Sequence, residues 1–338
     1  MPVFMEGFEG NSWANLQLLG WTSTTSPSTT TSNAHKDFSG RGGNYALTFG
    51  TSGEVVTTPG FSTTARWLSF MRKTSKTAGG SKPYTVRFIR NGSVTAAINT
   101  NATNNVQLWR GNADAGTLLA TSTSAINTLA TSHWISIKLV ADSGSGDFEV
   151  YIDGTLFASY TGNTQDAALN GWDQVQWTDG FFDFVTTHID DVIVTTAAEG
   201  MPSETFIIPL SPTSDNSIAS DSSGGGAGTY ANIDEIPQSS ADYNEFDSGE
   251  TDVYGMENLS YSPATIYGEK ITLYAARDGA VTTATTTVTV GVSTLSYPNT
   301  IGSSATYEIV EDILNSKPGG GAWTAATINN QTISVGFS

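Results

Sequence analysis

The sequence predicts an all-β protein, a two-sheet jelly-roll sandwich followed by a second β-sandwich-like domain, and three observations carry that prediction. Apolar and polar residues alternate over short stretches, the period of strands with one wet face. Turn-forming pairs, Asn91-Gly92 and Asp153-Gly154 above all, recur between those stretches and supply the positive φ angles of tight hairpins. Sustained helical periodicity is missing, and the polar residues are dominated by Thr, Ser, Gly and Asn.

The first domain is expected over residues 1–198. It opens with Glu6-Gly-Phe-Glu-Gly10 and Leu18-Leu-Gly-Trp21, crosses a Thr/Ser-rich stretch at Thr22 to Ser32, and reaches Ser39-Gly-Arg-Gly-Gly43 before a strand at Tyr45 to Phe49. Further strands are predicted at Arg66 to Met71, Tyr84 to Arg90, Ser93 to Ile98, Val106 to Arg110 and Gln174 to Trp177. The clearest reading falls between His133 and Thr196. Ile135, Ile137 and Leu139 alternate with Trp134, Ser136 and Lys138, and Phe148, Val150 and Ile152 alternate with Glu149, Tyr151 and Asp153. Asp142-Ser-Gly-Ser-Gly146 turns the chain between these two strands, Asp153-Gly154 sends it back through Thr155 to Tyr160, and His188 to Thr196 closes the domain.

Alternation stops at Ala197-Ala-Glu-Gly-Met-Pro-Ser203, so residues 199–213 are expected to be a linker and 214–338 a second β-rich module. Phe206 to Leu210 reads as a linking strand and Ser222 to Gly228 as a Gly-rich loop. Strands are predicted at Lys270 to Ala276, Thr285 to Val292 and Thr306 to Glu308, with a tail at Ala322 to Asn329.

With 338 residues the chain is long enough for two domains, each with its own core. A net charge of -18, with only 14 Lys and Arg, argues against nucleic acid as a partner and against an anionic membrane surface. No apolar run is long enough for a membrane span, so no membrane insertion is expected. Cysteine is absent, which fits a reducing compartment and removes thiolate chemistry. The first residues lack the basic and apolar regions of a Sec leader, so Sec-type secretion is not expected.

The order of Trp134, an alternating strand, the Asp142–Gly146 turn, Val150-Tyr-Ile-Asp-Gly154 and Ile189-Asp-Asp-Val-Ile-Val194 resembles the concanavalin A-like, or laminin G-like, jelly rolls often carried by tailed-phage virion proteins. The entry Glu6-Gly-Phe-Glu with Gly20-Trp21 and Gly40-Arg-Gly-Gly-Asn-Tyr-Ala-Leu47 is similar to the same domains. In the second module, Asn232 to Pro237, Asp242-Tyr243, Asp252-Val-Tyr254, Ile271 to Arg277 and Pro318 to Thr324 form a frame that resembles a second β-rich module common in phage virion genes. The resemblance implies a non-enzymatic structural protein on a virion surface, tail-associated or decorating the capsid. It would be assembled in the host cytoplasm, with copies of itself and other virion proteins as partners. The alternative is a receptor-recognition adhesin of tail-fibre type that binds host surface glycan, and a second alternative is a glycan hydrolase or lyase.

Each candidate site carries a plainer account. Glu245, Asp247 and Glu250 have the Glu-x-Asp-x-x-Glu spacing of certain glycan hydrolases, but Ser248-Gly249 between them reads as a turn and not as a strand that fixes carboxylate separation. No catalytic residue is assigned. Laminin G-like folds often bind calcium, for which Asp142, Asp147, Asp190 and Asp191 are the oxygen donors on offer; turn chemistry and strand flanks explain all four more simply, and no cofactor is required. Trp172, Trp177, Phe181 and Phe182 cluster around Gly171 and Gly180, where they suit either sugar stacking or, more simply, the core or a subunit interface. His35, His133 and His188 are isolated, and neither a nucleophile elbow nor a phosphate loop occurs.

Overall fold

The computed structural model describes residues 2–8, 13–24, 28–31, 45–49, 54–74, 84–101, 103, 105–113, 115–126, 132–166, 169–179, 187–196, 200–202, 207–223, 225–234, 242–259, 263, 265–277, 282–302 and 307–338. It is nearly all β and divides into two compact units, one running through Ile208 and the other from Pro209 to Ser338.

In the first unit the strands are β1 (Pro2–Glu6), β2 (Thr22–Ser23), β3 (Ser28–Thr31), β4 (Tyr45–Phe49), β5 (Val55–Thr57), β6 (Ala65–Thr74), β7 (Tyr84–Arg90) and β8 (Ser93–Thr100). They continue with β9 (Asn105–Arg110), β10 (Thr117–Ala125), β11 (Ser132–Val140), β12 (Gly146–Ile152), β13 (Thr155–Gly162), β14 (Gln174–Asp179) and β15 (Thr187–Thr196). One sheet has the order β13-β12-β11-β6-β15-β4-β3 with β1 also on β15, and the other has β10-β9-β8-β7-β14-β5-β2. Both expected hairpin pairs take the left-handed backbone, with φ of 49° and 75° at Asn91-Gly92 and 50° and 77° at Asp153-Gly154.

The core lies between these sheets. Ile135, Ile137, Leu139, Phe148, Val150 and Ile152 from β11 and β12 enter it with Phe88, Leu108 and Val175 from the opposite sheet. Burying a side chain such as Phe148 removes it wholly from water, which stabilises the unit by about 2–3 kcal/mol before chain entropy is counted. The expected wet face of β11 is partly covered. Trp134 and Ser136 are buried, and both donate to the carbonyl of Pro202, at 3.3 Å each. The chain just beyond β15 therefore packs back on the first unit.

The second unit holds β16 (Pro212–Ser217), β17 (Asp221–Ser222), β18 (Asn244–Glu245), β19 (Thr251–Met256), β20 (Glu269–Ala275), β21 (Thr283–Val290), β22 (Ser293–Thr300), β23 (Glu308–Leu314) and β24 (Gln331–Phe337). A five-stranded sheet has the order β16-β19-β24-β21-β22, and β20 pairs with β23 in a ribbon whose Ile271 and Leu273 pack on the core formed with Val288, Ile333 and Val335. Each edge strand of the five-stranded sheet carries a proline, Pro212 in β16 and Pro298 in β22. Three expectations are corrected here. Residues 207–210 are not a strand, Gly291-Val292 is a turn and not the end of β21, and Ala325–Ile328 is a helical turn capped by Thr324.

The frame residues Asp252 and Tyr254 are core groups. Asp252 is fully buried on β19 and accepts from Ser220 Oγ, from Tyr254 Oη at 2.6 Å and from the backbone N–H groups of Ala219 and Ser220 at 2.7 and 3.0 Å. Burial alone would raise its pKa, but these donors, Ser220 and Tyr254 first, hold it below the ordinary carboxylate value.

Candidate functional site

In the first unit β10 packs against β13, which brings the edges of the two sheets together and sets three loops around an open polar groove of about 1070 Å³. The β9–β10 turn contributes Arg110 and Asn112, the β11–β12 turn contributes Asp142 and Ser143, and the loop after β13 contributes Asn163, Gln165, Asp166 and Asn170.

Main-chain bonds hold each loop so that the side chains stay open. Gly111 donates to the Thr95 carbonyl at 2.8 Å and Gly116 to the Asn112 carbonyl at 2.7 Å. A Cβ at Gly116 would lie 2.1 Å from the Arg110 carbonyl oxygen, so this turn closes only around glycine. Thr164, fully buried, ties the other two loops together: its hydroxyl donates to the Val140 carbonyl at 2.6 Å and accepts from the Asp142 N–H at 3.1 Å. The N–H groups of Thr164 and Gln165 both return to the Asp142 carbonyl, at 3.0 and 3.2 Å.

Electrostatically the groove holds both signs, with no ion pair formed by its charged side chains among the described residues. Asp142 Oδ1 accepts from the N–H groups of Gly144 and Ser145 at 2.8 Å each, and these donors, Ser145 first, hold its pKa below the ordinary value. Its Oδ2 has no hydrogen-bond partner among the described residues. The Asp166 carboxylate lies against the Gly111 backbone and has neither a hydrogen bond nor an ion pair among the described residues. Arg110 donates to Thr117 Oγ1 at 3.1 Å and has no carboxylate within 4 Å among the described residues. Amides that donate and accept, carboxylates that accept and a guanidinium that donates thus face one open space.

The sequence-expected sites fall elsewhere, Asp142 excepted. Trp172 and Trp177 are fully buried, so neither ring can stack a sugar; this corrects the glycan-stacking reading. Trp172 meets Phe88 edge-on at 4.9 Å and donates from Nε1 to the Leu139 carbonyl at 3.1 Å, while Trp177 stacks on Trp21 at 6.2 Å. Phe181 and Phe182 lie outside the described residues, as does His35.

The four calcium candidates do not converge, and no group of three or more metal-binding side chains occurs among the described residues. Asp147 pairs with Lys138 at 3.1 Å. Asp190 and Asp191 are buried in an irregularity within β15 and not on its flanks as expected: Asp190 Oδ1 accepts from the Asp191 N–H at 2.8 Å, and Asp191, at φ 50°, accepts from the Ile207 N–H at 2.7 Å.

Glu245, Asp247 and Glu250 do not share a strand face. Glu245 ends β18, while Glu250 Oε2 accepts from the Asp247 N–H at 2.7 Å across the Ser248-Gly249 turn. His133 meets Asp153 at 2.7 Å and His188 meets Thr48 at 2.9 Å.

The groove residues Arg110, Asn112, Asn163, Gln165, Asp166 and Asn170 escape sequence reading because each stands in a loop or next to one, where polar residues are expected for turn chemistry alone.

No protein-family model matches the chain and no curated protein matches it, so the laminin G-like and phage resemblances stand on the sequence motifs. Solved structures with a similar arrangement include the cellulose-induced protein Cip1, at 13% identity and a TM-score of 0.40 over 57% of this chain and 96% of that one. A conserved carbohydrate esterase from Shiga toxin-encoding bacteriophage phi24B matches at 14% identity and 0.38, over 57% and 99%. The carbohydrate-binding module CBM66 from Bacillus subtilis matches at 11% identity and 0.32, over 51% and 93%. At these scores none of the three bears on what this chain binds.

Proposed function

We propose that the first unit is a carbohydrate-binding module and that the groove between its sheet edges is the binding site. The observation that carries this reading is the set of polar side chains in the lining: four amides, two carboxylates and one guanidinium, each planar at the tip, beside the hydroxyls of Thr117 and Ser143. Each sugar hydroxyl donates one hydrogen bond and accepts others, and that chemistry needs acceptors and donors interleaved on one wall. A groove of about 1070 Å³ is just above the usual range for drug-sized ligands and has room for an oligosaccharide. The virion surface implied by the sequence resemblance suits such a module, because repeated copies turn weak glycan contacts into firm attachment.

Titration of the full chain with immobilised oligosaccharides tests this. The Asn112→Ala/Asn170→Ala double variant replaces two exposed amides and is expected to bind at least about tenfold more weakly, since each lost hydrogen bond is worth about 1 kcal/mol, with an unchanged melting temperature. Full binding by that variant, or no glycan bound by the native chain at millimolar concentration, would overturn the assignment.

A further inference from the structure

We propose that the groove selects uncharged glycans and turns acidic ones away, an inference that rests on the carbohydrate-binding reading above. Three described side chains set the groove's charge, Arg110 against Asp142 and Asp166, which leaves it one negative charge in excess within a chain of net charge -18. Arg110 taken alone would suit the carboxylate or sulfate of an acidic sugar, because its fork binds such groups bidentately. The two carboxylates oppose that. At an effective dielectric of about 20, a ligand anion about 4 Å from a guanidinium would gain about 4 kcal/mol and would lose about 2 kcal/mol to a carboxylate at about 8 Å, so two carboxylates at twice the distance are enough to cancel the attraction. The overall field of the chain then decides against the anion.

An uncharged sugar meets no such opposition. Its hydroxyls donate to the open Asp142 Oδ2 and to Asp166, and its ring and glycosidic oxygens accept from Arg110. Neither acid is neutralised by a neighbour: no cation pairs with Asp166 among the described residues, and the turn amides keep Asp142 ionised. The two acids therefore act as the specificity-determining residues and Arg110 as a shared donor.

The test uses the full chain against two sets of immobilised oligosaccharides, neutral hexose and N-acetylhexosamine chains on one side and sialylated, uronate-containing and sulfated chains on the other. Neutral chains are expected to bind and acidic ones to bind at least about tenfold more weakly, the factor that about 1.4 kcal/mol of unrelieved repulsion corresponds to. In the Asp142→Asn/Asp166→Asn variant the acidic set should gain at least about fivefold in low salt, and the gain should fade in molar salt as screening removes the field. Asparagine keeps the acceptor that the Asp142 turn needs, so the fold is retained. Equal or preferential binding of acidic chains by the native protein, or no gain in the variant, overturns the selection while leaving carbohydrate binding intact. Failure of both sets to bind overturns the carbohydrate reading, and the selection with it.

Discussion

Trp172 and Trp177 are both fully buried in the first unit and differ in one polar atom. Nε1 of Trp172 donates to Leu139, whereas Nε1 of Trp177 is buried without a partner among the described residues. Replacement by phenylalanine removes similar ring area at both positions, so the hydrogen bond sets the difference. Trp172→Phe strands the Leu139 carbonyl, while Trp177→Phe removes an indole N–H that already had no acceptor. We expect Trp172→Phe to lower the unfolding free energy by about 1–2 kcal/mol more than Trp177→Phe in denaturant titrations. Equal losses would show that the bond contributes nothing. At this scale the sequence tells apart residue types but not their surroundings. Aromatics next to Gly171 read most simply as core but also admit a sugar platform, because burial depends on which strand covers them. Asp142 was visible as a turn residue, but its place in a groove depended on Asn112 and Gln165, which lie far along the chain and meet it only through the β10–β13 packing.

Between elements, the Glu269 carboxyl, like that of Asp312, links the β20–β23 ribbon to the five-stranded sheet. Gln331 on β24 donates from Nε2 to Glu269 Oε1 at 2.6 Å, and Glu269 Oε2 and Gln331 Oε1 are both buried without partners among the described residues. Burial pushes the Glu269 carboxyl up to about 7, against the opposing hydrogen bond from Gln331. Since the folded-state pKa is above the unfolded value of 4.5, the native state holds the proton more tightly. Its contribution is complete below pH 4.5 and is lost as pH rises through about 7. Between pH 5 and 8 the second unit should lose about 1–3 kcal/mol, and Glu269→Gln should flatten that slope in denaturant titrations at each pH. A slope that survives the substitution would assign the effect to another group. The elements were unevenly legible. β20, β11 and β12 alternate cleanly and were read directly. β23 was missed apart from its first residue because Ile309, Val310, Ile313 and Leu314 stand at helical spacing, and only pairing with β20 makes them a strand. β22 was missed because Pro298 counts against a strand, and the stop at Gly291 was overrun by the valines around it.

Over the whole molecule, two units with separate cores share an acidic chain, and only in the first are the strands legible from the sequence in any detail. In the second, β21 and β22 are rich in Thr and Ser, and the alternation of threonine with valine or alanine in β21 gives weak contrast to a reading based on hydrophobicity. Its five-stranded sheet ends on both sides in a strand that contains proline. Counting from the Val290–Ser293 pair that closes the two-residue turn, Pro298 opposes Thr285 in a wide pair, so its missing N–H belongs to the outward side of the sheet and costs the ladder nothing. Replacing it restores an outward donor beside the exposed Ser296 and Thr300. We expect Pro298→Thr to retain the fold and to raise self-association at high protein concentration, read as added fast-sedimenting material. An unchanged sedimentation profile would show that proline is not what guards this edge. If many copies stand side by side on a particle, as the sequence resemblance implies, each offers its neighbours strand edges at very high local concentration. The outward proline on the β22 rim would then keep a crowded array from fusing into fibres along that edge, so that the copies remain separate molecules through storage and drying.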